Sequence, residues 1–212
     1  MQRPTFPTGP DPDRFTRRNA ELAAQISAAE PECLASVTGA TLLPDGRFAL
    51  ALWGREVELT PPAYHAHWAA TGKPVGMMDQ ALLLYYLATA DGTALTGRWI
   101  SFGELPDGRF YNQAFQGYTG HELVRTFGND LTAFTTAAER TGGQPQSLGQ
   151  ASFAYQPLPR VPVMVVYWLG DEDFPASAQV LFDASASHYL PTDAYAILGS
   201  GLTRRLINAR EG

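Results

Sequence analysis

The sequence predicts an α+β fold: a largely antiparallel sheet with helices packed on it, built from helix-hairpin units and closed by a C-terminal helix. Three observations carry this prediction. Some segments repeat apolar residues at helical spacing while others form short apolar or alternating runs. Asp-Gly turns separate pairs of strand-like runs. The order helix, hairpin, helix, hairpin, helix, strands, helix lacks the regular strand-helix alternation of a doubly wound sheet. With 45% hydrophobic and 17% charged residues in a chain of 212, there is apolar surface for one substantial core. Residues 1–12, with four prolines, read as a flexible tail, and residues 13–212 as a single domain.

Residues 13–37 set Phe15, Leu22 and Ile26 at helical spacing, with Asp13 as a cap and an interruption near Pro31. Residues 40–43 and 47–53 flank Pro44-Asp45-Gly46 as a hairpin, and 56–59 add a third strand. Residues 77–90 are apolar nearly all round, the pattern of a buried helix. Residues 99–102 and 110–115 flank Pro106-Asp107-Gly108, which predicts a second hairpin. Residues 119–141 read as helical with a break at Gly128-Asn129, and 142–149 as a loop. The strongest strand candidates, 153–158, 161–169 and 178–182, are assigned to the central sheet. A last helix opens at Pro191-Thr192-Asp193 and carries Arg204, Arg205 and Arg210 near its end, where cations favour the helix dipole.

The string Leu43-Pro44-Asp45-Gly46-Arg47-Phe48 recurs at 105–110. A duplicated helix-hairpin unit would explain it, but Asp-Gly turns are common and the flanks do not align, so coincidence is the favoured reading.

The net charge of -6, with Lys73 the single lysine, argues against a phosphate-backbone partner. Cys33 is the only cysteine, which excludes an intrachain disulfide and a cysteine-built cluster; without neighbouring cations it reads as a buried, inert thiol. The apolar run 81–88 is too short to span a bilayer. A cytoplasmic protein with no cofactor, no nucleic-acid partner and no membrane anchor is expected.

The densest polar chemistry is the turn Asp171-Glu172-Asp173, followed by Asp183 and His188. Carboxylates held together can divide acid and base duties or bind a hard cation, whereas Asp-rich turns also serve surface geometry alone. No Gly-x-Ser-x-Gly elbow accompanies Ser185 or Ser187. His65 and His67 would share one face of an extended segment but make a weak metal site, and a packing or capping role in a loop is favoured. Trp99, Tyr111 and Tyr118 lie near His121 and Arg125 in sequence, and with Trp168 they form the candidate ligand-binding set. The nearby Phe115 and Phe127 suit either a pocket or an ordinary core. The leading reading is a non-catalytic module binding a small molecule or a protein. Its rivals are an enzyme using the carboxylates with His188, and a structural subunit acting through an oligomeric interface.

The stretch Gly97-Arg98-Trp99-Ile100-Ser101-Phe102-Gly103-Glu104-Leu105-Pro106, together with Trp168-Leu169-Gly170-Asp171-Glu172-Asp173-Phe174-Pro175, Val180-Leu181-Phe182-Asp183 and Tyr189-Leu190, resembles the family called domain of unknown function 3786. The resemblance implies no known activity. Some members of that family carry the domain behind a cysteine-rich iron-sulfur segment; with Cys33 alone this chain holds no such cluster and resembles an independent module.

Overall fold

The computed structural model describes residues 12–211. The expected tail falls almost wholly outside them, and the side chain of Asp13, the expected cap, is likewise not described. Among the described residues are seven α-helices and nine strands.

Helices α1 (Pro12–Ile26) and α2 (Pro31–Thr38) are separated where Pro31 starts a new helix, a position at which its missing N–H costs nothing. Cys33 lies exposed on α2, because Leu34 and Thr38 form the buried side of this short helix. The expected buried thiol is thereby corrected. Strands β1 (Thr41–Leu42), β2 (Phe48–Leu52), β3 (Arg55–Thr60) and β4 (His65–Trp68) form an antiparallel meander in that order. Phe48, Leu50 and Leu52 are buried and pair with Leu59, Val57 and Arg55.

Helix α3 (Met77–Thr89) buries Ala81, Leu82, Leu83, Leu84, Tyr86 and Leu87, as its all-round apolar sequence requires, and packs against α1 and the C-terminal helix. Strand β5 (Trp99–Ser101) leads into a single 3-10 turn, Phe102–Glu104, and then into α4 (Gly108–Tyr118). The second hairpin predicted for this segment is therefore absent, and with it the second helix-hairpin unit. In the first copy of the repeated string, the strand after the turn finds β1 and β3 as partners. In the second, Phe115 stacks on Phe102 at 4.1 Å between ring centres, a contact made by winding residues 108–118 into a helix that buries Gly108 and Phe115 on one side. Six identical residues thus adopt two structures, and the string marks no structural duplication.

Helices α5 (Gly120–Phe127) and α6 (Leu131–Arg140) are divided at Gly128, whose φ of 55° is left-handed. Asp130 then caps α6 by accepting from the Ala133 N–H at 2.9 Å. Strands β6 (Gln144–Gln146), β7 (Ala151–Leu158), β8 (Val161–Trp168) and β9 (Ser177–Asp183) precede α7 (Thr192–Glu211). The segment 142–149, expected to be a loop, contributes the short β6. The second sheet is antiparallel throughout, in the order β5-β9-β8-β7-β6, and both its edge strands are three residues long.

One face of this sheet meets the helices. Tyr167 packs on Phe134 of α6 and Phe182 on Tyr195 of α7, with ring centres 4.6 and 4.7 Å apart. On the other face Met164, Val166 and Leu181 form a small separate cluster sheltered by Trp99 and Trp168. Buried tyrosines tie the elements together: the Tyr86 hydroxyl donates to the Thr38 carbonyl at 2.5 Å, Tyr167 to Gly128 at 2.7 Å, and Tyr195 to Ala186 at 2.9 Å.

Candidate functional site

The acidic turn lies between β8 and β9. Asp171 accepts hydrogen bonds from the N–H groups of Asp173 (2.9 Å) and Phe174 (2.7 Å), so its carboxylate shapes its own turn. Asp171, Glu172 and Asp173 are all exposed. Asp183 stands at the far end of β9, and that strand spans about 20 Å. The acidic turn and Asp183 do not share a site.

Asp183 is almost fully buried, and its neighbours explain how it remains a carboxylate. It accepts from the Thr96 N–H and hydroxyl (both 3.0 Å), the Gly97 N–H (2.7 Å), and the Ser185 N–H (2.9 Å) and hydroxyl (2.6 Å). Burial pushes its pKa up, but the hydrogen bonds from Ser185 and Thr96 outweigh burial and hold it down at about 2. These contacts tie the segment before β5 to the segment after β9. His188 is exposed nearby, its Nδ1 2.7 Å from Asp91 Oδ2 and 3.1 Å from Thr93 Oγ1. Hydrogen bonds from His188 and Thr93 keep the Asp91 carboxyl down at about 2.

The aromatic candidates divide between two surfaces. Trp99 and Trp168 both pack on the outer sheet face, but at opposite ends of β9, where they pair with Asp183 and Ser177. Tyr111 and Tyr118 of α4, with His121 and Arg125 of α5, are exposed on the helices that cover the opposite face. Arg125 is paired there with Glu122. Phe115 and Phe127 belong to the main core. His65 and His67 lie on β4 instead of a loop, exposed and half-buried respectively. Among the described residues, no group of three or more His, Cys, Asp or Glu is arranged to hold a metal ion.

Trp53, which was not among the sequence-predicted site residues, lines two cavities. Trp53 and Gly54 are the two-residue loop between paired Leu52 and Arg55, with φ of 52° and 74°. A two-residue hairpin loop with positive φ at both positions suits Asn-Gly, and a bulky residue there costs on the order of 1 kcal/mol. The indole offsets this cost by its contacts. Its ring meets Tyr155 edge-on at 6.5 Å and the Arg205 guanidinium covers it at 4.6 Å, while the backbone N–H of Trp53 donates to the Pro157 carbonyl at 2.8 Å, joining the two sheets.

Trp53 also lines a cleft of about 460 Å³ together with Trp99, Gln144, Gln146, Gln156, Ala154 and Pro162. Tyr155 is the one ionisable group lining it. Burial pushes that phenol up to about 12, and its hydroxyl is engaged by the Ala138 carbonyl and Thr141, so the cleft carries no charge at neutral pH. Indoles can stack on an uncharged polar ring and primary amides can hydrogen-bond it, the Gln156 amide through its oxygen because its nitrogen donates to the Leu158 and Pro159 carbonyls. Trp99 was legible in the sequence as a ligand candidate. The glutamines were not, since they belong to β6 and β7, which pairing alone brings together. A large aromatic residue immediately before the glycine of a two-residue turn is the signal that would have found Trp53.

No curated protein and no solved structure matches the chain. Among the described residues no helix is long and apolar enough to cross a membrane. The family described as Domain of unknown function (DUF3786) matches residues 30–205, a span that takes in Trp53, Trp99, the acidic turn and most of α7, and the chain belongs to that family.

Proposed function

We propose that the protein is a non-catalytic small-molecule-binding module whose ligand, an uncharged polar ring, lies in the cleft between Trp53 and Trp99. The observation that carries this reading is Trp53 itself, a bulky side chain kept in a left-handed turn position beside a charge-free cleft. Backbone strain of this kind persists where the surroundings demand a particular side chain. The acid-base alternative has less support, because the acidic turn and His188 lie apart and His188 is occupied by Asp91 and Thr93. The binding reading requires no cofactor. Its test is nuclear magnetic resonance of the indole N–H signals during titration with neutral ring compounds, namely monosaccharides, inositol and nucleosides. Saturable shifts of Trp53 and Trp99 that vanish in Trp99→Ala are expected. Unmoved indole signals with every compound at millimolar concentration would refute the site.

A second reading, a subunit acting through an interface, is favoured by one observation: Phe110 and Tyr111 of α4 are 84% and 59% exposed. Adjacent exposed aromatics suit a protein contact. Sedimentation velocity of the wild type against Phe110→Asp tests this, and an unchanged monomer in both removes it.

A further inference from the structure

A second cavity, of about 460 Å³, lies between α3 and α7 on the other side of Trp53. Its chemistry differs from that of the cleft. Arg204 and Arg205 line it, and neither takes part in an ion pair among the described residues. The one acid in the lining is Asp79, which burial pushes up in pKa although Arg205 and Arg55 pull it down. Apart from Asp79, the α3 side of the lining is apolar, with Met77, Met78 and Leu82, and Leu198 adds apolar surface from α7 itself. Met77 and Met78 are 49% and 46% exposed, unusual for large apolar residues on neighbouring positions of a helix. Unbranched thioethers adapt their shape to an apolar ligand, and unpaired guanidinium groups take carboxylate or phosphate oxygens in charge-assisted, bidentate geometry.

We infer that this cavity is a second binding site, for an amphipathic anion with a carboxylate or phosphate head on Arg204 and Arg205 and an apolar tail along Met77 and Met78. A neutral ligand would leave both guanidinium groups without an ion pair, Arg205 keeping only its contact with the Trp53 ring and the pull of Asp79. A bare inorganic anion would leave the methionine wall open to water. The cavity shares Trp53 with the cleft but uses neither Trp99 nor the glutamines, and Arg204→Gln leaves the Arg205–Trp53 contact in place.

The test follows the methionine methyl signals of the intact chain during titration with octanoate, octyl phosphate, 1-octanol and inorganic phosphate. Octanoate or octyl phosphate should move the Met77 and Met78 methyl signals saturably, and the tighter of the two identifies the head group. Octanol should bind at least about tenfold more weakly, the factor expected from losing a charge-assisted hydrogen bond. The double variant Arg204→Gln/Arg205→Gln should lose the same factor for the anions and nothing for octanol, while Trp99→Ala leaves anion binding intact. Should the double variant misfold by circular dichroism, Arg204→Gln alone is read instead, with a loss again expected. Octanol binding as tightly as octanoate, anion binding indifferent to the arginine substitutions, or methyl signals that no amphiphile moves would overturn the inference.

Discussion

Arg205 holds its guanidinium carbon 4.6 Å from the centre of the Trp53 ring, so the last helix is joined directly to the turn between β2 and β3. This contact makes the turn sequence testable. Trp53→Asn introduces a residue that accepts left-handed φ, and should cost only about 1–2 kcal/mol in urea unfolding as lost burial is partly offset by relieved strain. Trp53→Val, β-branched and as strained, should cost more. An Asn variant less stable than the Val variant would show that the turn conformation is misassigned.

The repeated string offers a paired comparison. A Cβ on Gly108 would lie 2.0 Å from the Phe102 carbonyl oxygen, whereas one on Gly46 would meet nothing within 4 Å. Gly108→Ala should therefore destabilise by more than about 3 kcal/mol, and Gly46→Ala, penalised only for its φ of 83°, by about 1 kcal/mol. Equal losses in chemical denaturation would contradict two different structures for one string.

Asp183 sets an acid limit. Its folded pKa of about 2 lies below the ordinary 3.8, so its contribution is present above about pH 4 and is lost as pH falls toward 2. The shift corresponds to about 2 kcal/mol. Asp183→Asn should be less stable than wild type by at least that amount at pH 7, since the new amide faces N–H donors, and the gap should narrow by pH 2. Urea unfolding at pH 7, 4 and 2 checks this; a gap independent of pH would exclude a carboxylate role.

The buried phenols set the alkaline limit. Burial pushes Tyr155 up to about 12 and raises Tyr86 and Tyr195 further. Because these folded pKa values exceed the ordinary value of 10, the stability they supply is complete below pH 10 and lost as pH rises through about 12. Phenolate absorbance should therefore include a late component that coincides with loss of the circular dichroism signal. Complete tyrosine titration by pH 11 in a chain that keeps its native signal would refute their burial.

Where the sequence carries a strong period, the structure follows it. The nearly all-apolar α3, the Val-rich β8 and the Pro-Thr-Asp opening of α7 were all legible, because their burial demands match a local pattern. The segment 105–118 was misread because its turn residues are common to hairpins and helix starts. What decides between them is Phe102 meeting Phe115, a contact invisible to a short window. The ligand candidates around Trp99 were grouped by nearness in sequence. The chain passes from one face of the sheet to helices on the other between Ser101 and Gly108, so nearness in sequence became separation in space.

The second sheet ends on both sides in strands of three residues, and the middle residue of β6 is Pro145. Proline has no N–H to offer a neighbouring backbone. A stray strand from another molecule would thus find too short a ladder to bind on either flank, and a missing rung on one of them. In a chain whose β8 is nearly all Val, Met and aromatic, these blunt margins protect against cross-β aggregation during synthesis and on storage at high concentration.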